Sequence, residues 1–88
     1  MYYILTYDIA EPKRLPKILK TCRRFLTWVQ KSVFEGELTV KQFEQLEFCI
    51  NEIIDHEEDS VIVYAIRTPQ VFKKQIIGMD KNEITNFF

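Results

Sequence analysis

The chain has 88 residues, of which 47% are hydrophobic and 28% are charged, and its formal net charge is -1. These values exclude a disordered chain and leave room for one modest core, so we expect a single domain over residues 1–88. The first apolar run, residues 2–7, is too short to cross a bilayer and has no signal-peptide flank, which predicts a cytoplasmic protein without a membrane partner.

Charge is distributed unevenly along the chain. All charged side chains between residues 13 and 31 are basic, whereas residues 35–59 contain nine acidic side chains and a single base, Lys41. A basic surface attracts phosphate and an acidic surface repels it. The sequence therefore predicts that nucleic acid, if it binds, does so on one side of the molecule.

The first predicted strand covers residues 2–9 and has one acidic residue, Asp8, at its end. Pro12 and Pro16 interrupt the chain, and we predict that a first helix begins at Leu15 or Pro16, because proline is accepted in a first helical turn. The face that this helix buries is predicted from helical spacing to contain Leu15, Ile18, Leu19, Cys22 and either Phe25 or Leu26.

A basic stripe follows the same helix. Lys17, Lys20 and Arg24 recur at helical spacing, and Lys13 extends the stripe if the helix reaches back that far. The stripe predicts either an ordinary solvated face or a phosphate-binding face, and the spacing fits both.

Residues 28–38 have strand composition and form either one bent strand or two, with Gly36 indicating a bulge or turn. Thr39 and Gln42 have the spacing of a capping box, which predicts that a second helix begins there and ends before residues 55–59. Its buried face is predicted to contain Phe43, Leu46, Ile50, Ile53 and Ile54.

Two further strands are predicted at residues 60–67 and 73–77. The order of elements predicts an α+β, ferredoxin-like βαββαβ fold with an additional C-terminal strand and with both helices on one face of the sheet. The other face is apolar and lacks a helix, so we expect a symmetric homodimer to cover it. We expect the tail, residues 79–88, to dock on a partner.

Asp8 carries the one catalytic hypothesis that the residues alone support. Magnesium needs only one or two protein carboxylates, so two copies of Asp8 related by a two-fold axis would form a site for phosphodiester chemistry. The alternative is a structural Asx turn. Cys22 and Cys49 lack metal-ligand spacing and are expected to be buried thiols, and His56 is expected to be a solvated turn residue.

Three other side chains have two readings each. Tyr7 and Phe34 are candidates for stacking on a base, and Ser32 is a candidate for binding phosphate. Core packing is the favoured interpretation of the aromatic residues, because they bury large apolar areas, and solvation of the strand is the alternative for Ser32.

Three stretches of the sequence closely resemble one known family, in the same order and at the same separations. They are Tyr7-Asp8-Ile9, the run VQKSVFEGEL at residues 29–38, and Asp59-Ser60-Val61 followed by Tyr64. The family is the second universal CRISPR-associated protein, the small partner of the CRISPR integrase in spacer acquisition.

This resemblance implies a ferredoxin-like homodimer that bridges two integrase dimers and lies along spacer DNA. Some members of the family are described as nucleases that use Mg²⁺ or Mn²⁺ to cleave single-stranded RNA or duplex DNA. By position, Asp8 matches the metal-binding aspartate and Phe34 the aromatic of the SVF motif, while Arg14 and Lys17 lie near the phosphate-contacting arginines. Trp28 departs from an arginine that many members have. A toxin-type ribonuclease and a non-catalytic ferredoxin-like binding dimer are the alternatives.

Overall fold

The computed structural model describes residues 1–67 and 72–82. Within these residues the chain forms a four-stranded sheet, two α-helices and a short 3₁₀-helix. The elements in chain order are β1 (Tyr2–Asp8), the 3₁₀-helix (Pro12–Arg14), α1 (Leu15–Phe25), β2 (Thr27–Gln30), β3 (Val33–Glu37), α2 (Val40–Ile53) and β4 (Ser60–Ile66).

The sheet confirms the predicted fold class. Its strand order is β2-β3-β1-β4 and all neighbours are antiparallel, which is the arrangement of a ferredoxin-like split β-α-β fold. Both helices pack on the same face, because one buried cluster joins Leu5 and Phe34 of the sheet to Ile18 of α1 and Leu46 of α2. No helix among the described residues is long and apolar enough to cross a membrane.

The core lies between this sheet face and the two helices. Leu5 of β1 lies opposite Phe34 of β3 and Val63 of β4, and residues directly opposite in an antiparallel pair point to the same face. Leu5 and Phe34 are fully buried, together with Ile18, Cys22 and Leu46. The predicted buried faces of both helices are therefore confirmed at their centres, whereas Leu15 at the start of α1 is exposed.

Local signals set the helix boundaries. The Thr39 hydroxyl accepts the Gln42 N–H at 3.1 Å and the Gln42 side chain accepts the Thr39 N–H at 2.9 Å, so the predicted capping box is confirmed. The second helix ends at Ile53, before the acidic residues 55–59, as predicted.

Residues 28–38 form two strands, and Lys31 between them has the left-handed φ of 43°. The β-bulge lies between Trp28 and Gln30 of β2. The prediction that Gly36 marks a bulge or turn is wrong, because Gly36 is paired with Tyr3 inside the sheet. A side chain there would have its Cβ 3.2 Å from Leu26, so close packing explains this glycine.

The sheet face opposite the helices, here called the open face, includes Ile4, Ile62 and Tyr64. Residues 72–77 lie against part of this face. The Phe72 ring is 5.3 Å from the Tyr2 ring. The strand predicted at residues 73–77 is wrong for the described segment, because a strand requires a neighbouring edge and residues 72–77 pair with none of the described strands. Residues 83–88 of the predicted tail lie outside the described residues.

Candidate functional site

Asp8 lies at the end of β1, opposite Ser60, the first residue of β4. Alternate residues of a strand point to opposite faces, so Asp8 and Ser60 lie on the open face with Ile4. The Asp8 side chain is exposed. A carboxylate and a hydroxyl are therefore available to solvent at one corner of the sheet.

The loop behind Asp8 is fixed by a second carboxylate, Asp59. Its side chain is completely shielded from solvent, and it accepts the Arg14 Nε at 2.8 Å and the Arg14 Nη2 at 3.1 Å. It also accepts the backbone N–H groups of Ala10 and Asp55, each at 2.8 Å. The hydrogen bonds from Arg14, helped by these backbone donors, lower the pKa of Asp59 to about 2.

Arg14 therefore lies in an internal ion-pair network. Its Nη2 is also 3.3 Å from a Glu58 carboxylate oxygen, so two acidic side chains occupy the guanidinium. A phosphate would have to compete with both of them. Arg14 therefore differs from the exposed basic residues of the first helix, with which the sequence analysis had placed it as a phosphate contact.

The basic stripe of α1 is exposed as the spacing predicts. Lys17, Lys20 and Arg24 face solvent, while Ile18 and Cys22 on the other side of the helix are buried. The Arg24 guanidinium lies 5.3 Å from the centre of the Phe25 ring, a cation–π contact that leaves its charge at the surface. Phosphate binding by this stripe stays a prediction.

An open depression of about 460 Å³ lies between α1 and the β2–β3 loop. Its lining includes Tyr7, Trp28, Arg23 and Lys31, and the Trp28 indole N–H donates to the Lys31 carbonyl at 2.9 Å. Burial raises the pKa of the Tyr7 hydroxyl, while nearby Arg23 lowers it. Sequence reasoning missed Arg23 and Lys31 as members of this group, although both belong to the basic run of residues 13–31.

Phe34 does not have the role in nucleic-acid stacking that the sequence allowed. Its side chain is fully buried, and its ring lies 6.2 Å from the Tyr7 ring within the core, so it presents no face to a base. Ser32 is half-buried, and its carbonyl accepts the Tyr7 N–H at 3.2 Å. Ser32 thus holds the β2–β3 loop against the end of β1.

The described residues contain no group of three or more His, Cys, Asp or Glu side chains that could hold a metal ion. Cys22 is buried, as predicted, and burial raises the pKa of its thiol to about 12, whereas Cys49 is half-buried. His56 is exposed, as predicted. Asp8, with Ser60 beside it, fits one half of a site for Mg²⁺, which keeps several waters and takes one or two carboxylates.

The one-sided βαββαβ sheet places the chain among ferredoxin-like α+β proteins, with an exposed carboxylate at the end of its first strand and exposed bases on its first helix. The sequence model of the family described as CRISPR associated protein Cas2 matches residues 1–74, and the chain belongs to this family.

Individual relatives and a solved structure support the same family. The chain is 47% identical over 83 residues to the CRISPR-associated endoribonuclease Cas2 of Dictyoglomus turgidum, covering 94% of each chain. It is 45% identical to the protein of that name from Thermotoga maritima, again covering 94% of each. A crystal structure of cas2 superposes with a TM-score of 0.83 at 37% identity, covering 92% of this chain and 90% of that one. These matches favour the family over the toxin-type alternative.

Proposed function

We propose that the protein is a CRISPR-associated endoribonuclease in which Asp8 supplies the metal-binding carboxylate. The single observation that carries this proposal is the exposed position of Asp8 at the end of β1, on the open face and beside Ser60. Relatives named CRISPR-associated endoribonuclease Cas2 make RNA the first substrate to test.

A homodimer would complete the site. Asp8 is the one acid of β1, and Ile62 and Tyr64 on the open face remain 48% and 59% exposed. Apolar side chains grouped in this way favour contact with a second copy of the chain. Because Asp8 lies on that same face, a two-fold axis through it would place two Asp8 carboxylates at one interface.

The chain's own residues would position the substrate. Bound Mg²⁺ would supply charge stabilisation at the phosphoryl oxygens and lower the pKa of a coordinated water. Asp8 would hold the ion, and the adjacent Ser60 hydroxyl would orient a water or a phosphate oxygen. Arg23 and Lys31, at the depression on the helix side of the sheet, would attract phosphates further along the RNA, while Tyr7 would support a base there.

The decisive experiment compares Mg²⁺-dependent cleavage of single-stranded RNA and duplex DNA by the wild type, Asp8→Asn and Glu44→Gln, purified in parallel. Glu44 is an exposed acid on α2 and serves as the control for removing one negative charge. We expect Asp8→Asn to lose cleavage and Glu44→Gln to keep it. Equal cleavage by the wild type and Asp8→Asn would contradict the proposal, because a contaminating nuclease would then explain the activity.

A second function is favoured by the exposed stripe of Lys17, Lys20 and Arg24. We propose that this surface contacts the phosphates of duplex DNA when the dimer acts as a scaffold with the CRISPR integrase in spacer acquisition. Such contacts are independent of sequence and sensitive to salt. The two functions use different residues, so variants at Asp8 and variants in the stripe separate them.

A further inference from the structure

Asp59 connects three segments of the chain beside Asp8. Its carboxylate binds the loop that follows β1 through Ala10, the start of the first helix through Arg14, and the loop that precedes β4 through Asp55. We propose that Asp59 is the positioning residue for Asp8, and this inference rests on the metal-binding role of Asp8 proposed above.

Asp59 fixes the backbone just beyond Asp8. Asp8 is the last residue of β1, so the strand ladder no longer fixes the chain beyond it. Two residues further on, the Ala10 N–H donates to Asp59 Oδ1 at 2.8 Å. Asp59 also directly precedes Ser60, the residue opposite Asp8 in the ladder. Asp59 thus holds the chain two residues beyond Asp8 through its side chain, and it is the chain neighbour of the residue that pairs with Asp8.

The hydrogen bonds of the Asp59 carboxylate show that it is not itself a metal ligand. An ionised carboxylate offers about four lone-pair positions. The Oδ1 atom of Asp59 accepts from Ala10 and from Arg14 Nη2, and its Oδ2 atom accepts from Arg14 Nε and from Asp55. All four positions are therefore used and the side chain is fully shielded, so Asp59 does not bind the metal itself.

The charge of Asp59 is the third consideration. An uncompensated second carboxylate near Asp8 would draw a cation away from it. Asp59 forms an ion pair with Arg14, so its charge is balanced within the fold. Asp8 stays exposed at the end of β1, while Asp59 fixes the backbone that follows it.

The test compares Asp59→Asn with Ile50→Val, a core variant of α2 that removes one buried methyl group and none of the hydrogen bonds of Asp59. Mn²⁺ binding is followed by the paramagnetic broadening of the Asp8 and Ile9 amide signals, at a temperature where every variant is fully folded. We expect Asp59→Asn to weaken Mn²⁺ binding about tenfold, the lower end of the range for outer-shell partners, and Ile50→Val to leave it unchanged.

Hydrogen exchange at the amides of Ile9 and Ala10 gives a second readout that needs neither metal nor activity. Faster exchange in Asp59→Asn than in Ile50→Val supports the positioning role, and equal exchange overturns it. Unchanged Mn²⁺ affinity in Asp59→Asn also overturns it. If the wild type binds no Mn²⁺ at Asp8, the proposed metal site has failed, and the exchange data alone decide whether Asp59 positions Asp8.

Discussion

Lys74 and Glu35 join the C-terminal segment to the open face of the sheet. The Lys74 Nζ lies 2.5 Å from Glu35 Oε2, and the Glu35 side chain is mostly buried while Lys74 is partly exposed. Burial and the neighbouring Glu35 also raise the pKa of the Tyr2 hydroxyl to about 12. Glu35 therefore anchors residues 72–77 over β1 and β3, and the β4 half of the face stays uncovered.

Removing this ion pair should loosen the segment. We expect Lys74→Gln to raise hydrogen exchange in residues 72–77 roughly two- to fivefold, because a partly exposed ion pair contributes on the order of 1 kcal/mol or less. The matched control is Lys73→Gln, which removes a neighbouring charge that forms no ion pair with the described residues. Equal exchange in the two variants would show that the Phe72 contact alone holds the segment.

The uncovered half of the open face predicts where a second copy binds. We expect Tyr64→Arg to convert a dimeric wild type into a monomer, because a charge at the centre of an apolar interface would be desolvated without a partner. Phe48→Arg is the matched control, since Phe48 is 66% exposed on α2, on the opposite side of the sheet. Analytical ultracentrifugation distinguishes the outcomes, and a dimeric Tyr64→Arg together with a monomeric Phe48→Arg would place the interface on the helices.

Because Phe34 is fully buried, a variant at this position should affect stability and not nucleic-acid binding. We expect Phe34→Leu to lower the free energy of unfolding by about 1–3 kcal/mol through lost core packing, and to leave RNA affinity unchanged. Tyr7→Leu should lower the free energy of unfolding by less. It should weaken RNA binding by about 1–3 kcal/mol, because its ring is proposed to support a base. Urea unfolding and RNA titration of both variants test this. An RNA affinity that falls only in Phe34→Leu would restore the stacking role.

Local signals in the sequence were sufficient for most of the fold. The capping box of Thr39 and Gln42 and the helical spacing of Ile18 and Cys22 act over a few residues, so each was correctly assigned. The strand predicted at residues 73–77 has a suitable composition, but composition does not supply a neighbouring strand. A glycine is needed at position 36 because the chain there lies close to Leu26, and this contact depends on how the first helix packs on the sheet.

The candidate site was only partly predictable for a related reason. The position of Asp8 at a strand end follows from the pattern of β1 alone. The ion pair of Arg14 with Asp59 joins residues 45 apart, and no local periodicity indicates it. The sequence therefore grouped Arg14 with the phosphate-binding residues and assigned Asp59 to an ordinary acidic loop. Long-range pairs of this kind emerge only from the packed structure.

The lowered pKa of Asp59 predicts how the protein responds to acid. The folded state holds this pKa at about 2, below the ordinary value of 3.8, so the stabilisation is fully present above the ordinary value and is lost as the pH falls toward the lowered one. We expect the stability gap between the wild type and Asp59→Asn to shrink between about pH 6 and about pH 3. Urea unfolding at both pH values measures it, with Glu52→Gln as the control for an exposed acid. A gap that is constant with pH would contradict the ion pair.

The basic stripe of α1 predicts the salt dependence of DNA binding. Each phosphate contact that is removed should reduce the slope of log affinity against log salt by about 0.9 for duplex DNA. We expect Lys20→Gln to lower the slope by nearly one, and Lys73→Gln, the matched control in the segment that lies against the open face, to leave it unchanged. Combining Lys17→Gln, Lys20→Gln and Arg24→Gln should lower it by about three. Because these residues lie on α1 and Asp8 lies on the open face, Asp8→Asn should bind DNA with the wild-type slope. A triple variant that keeps this slope would place the DNA on another surface.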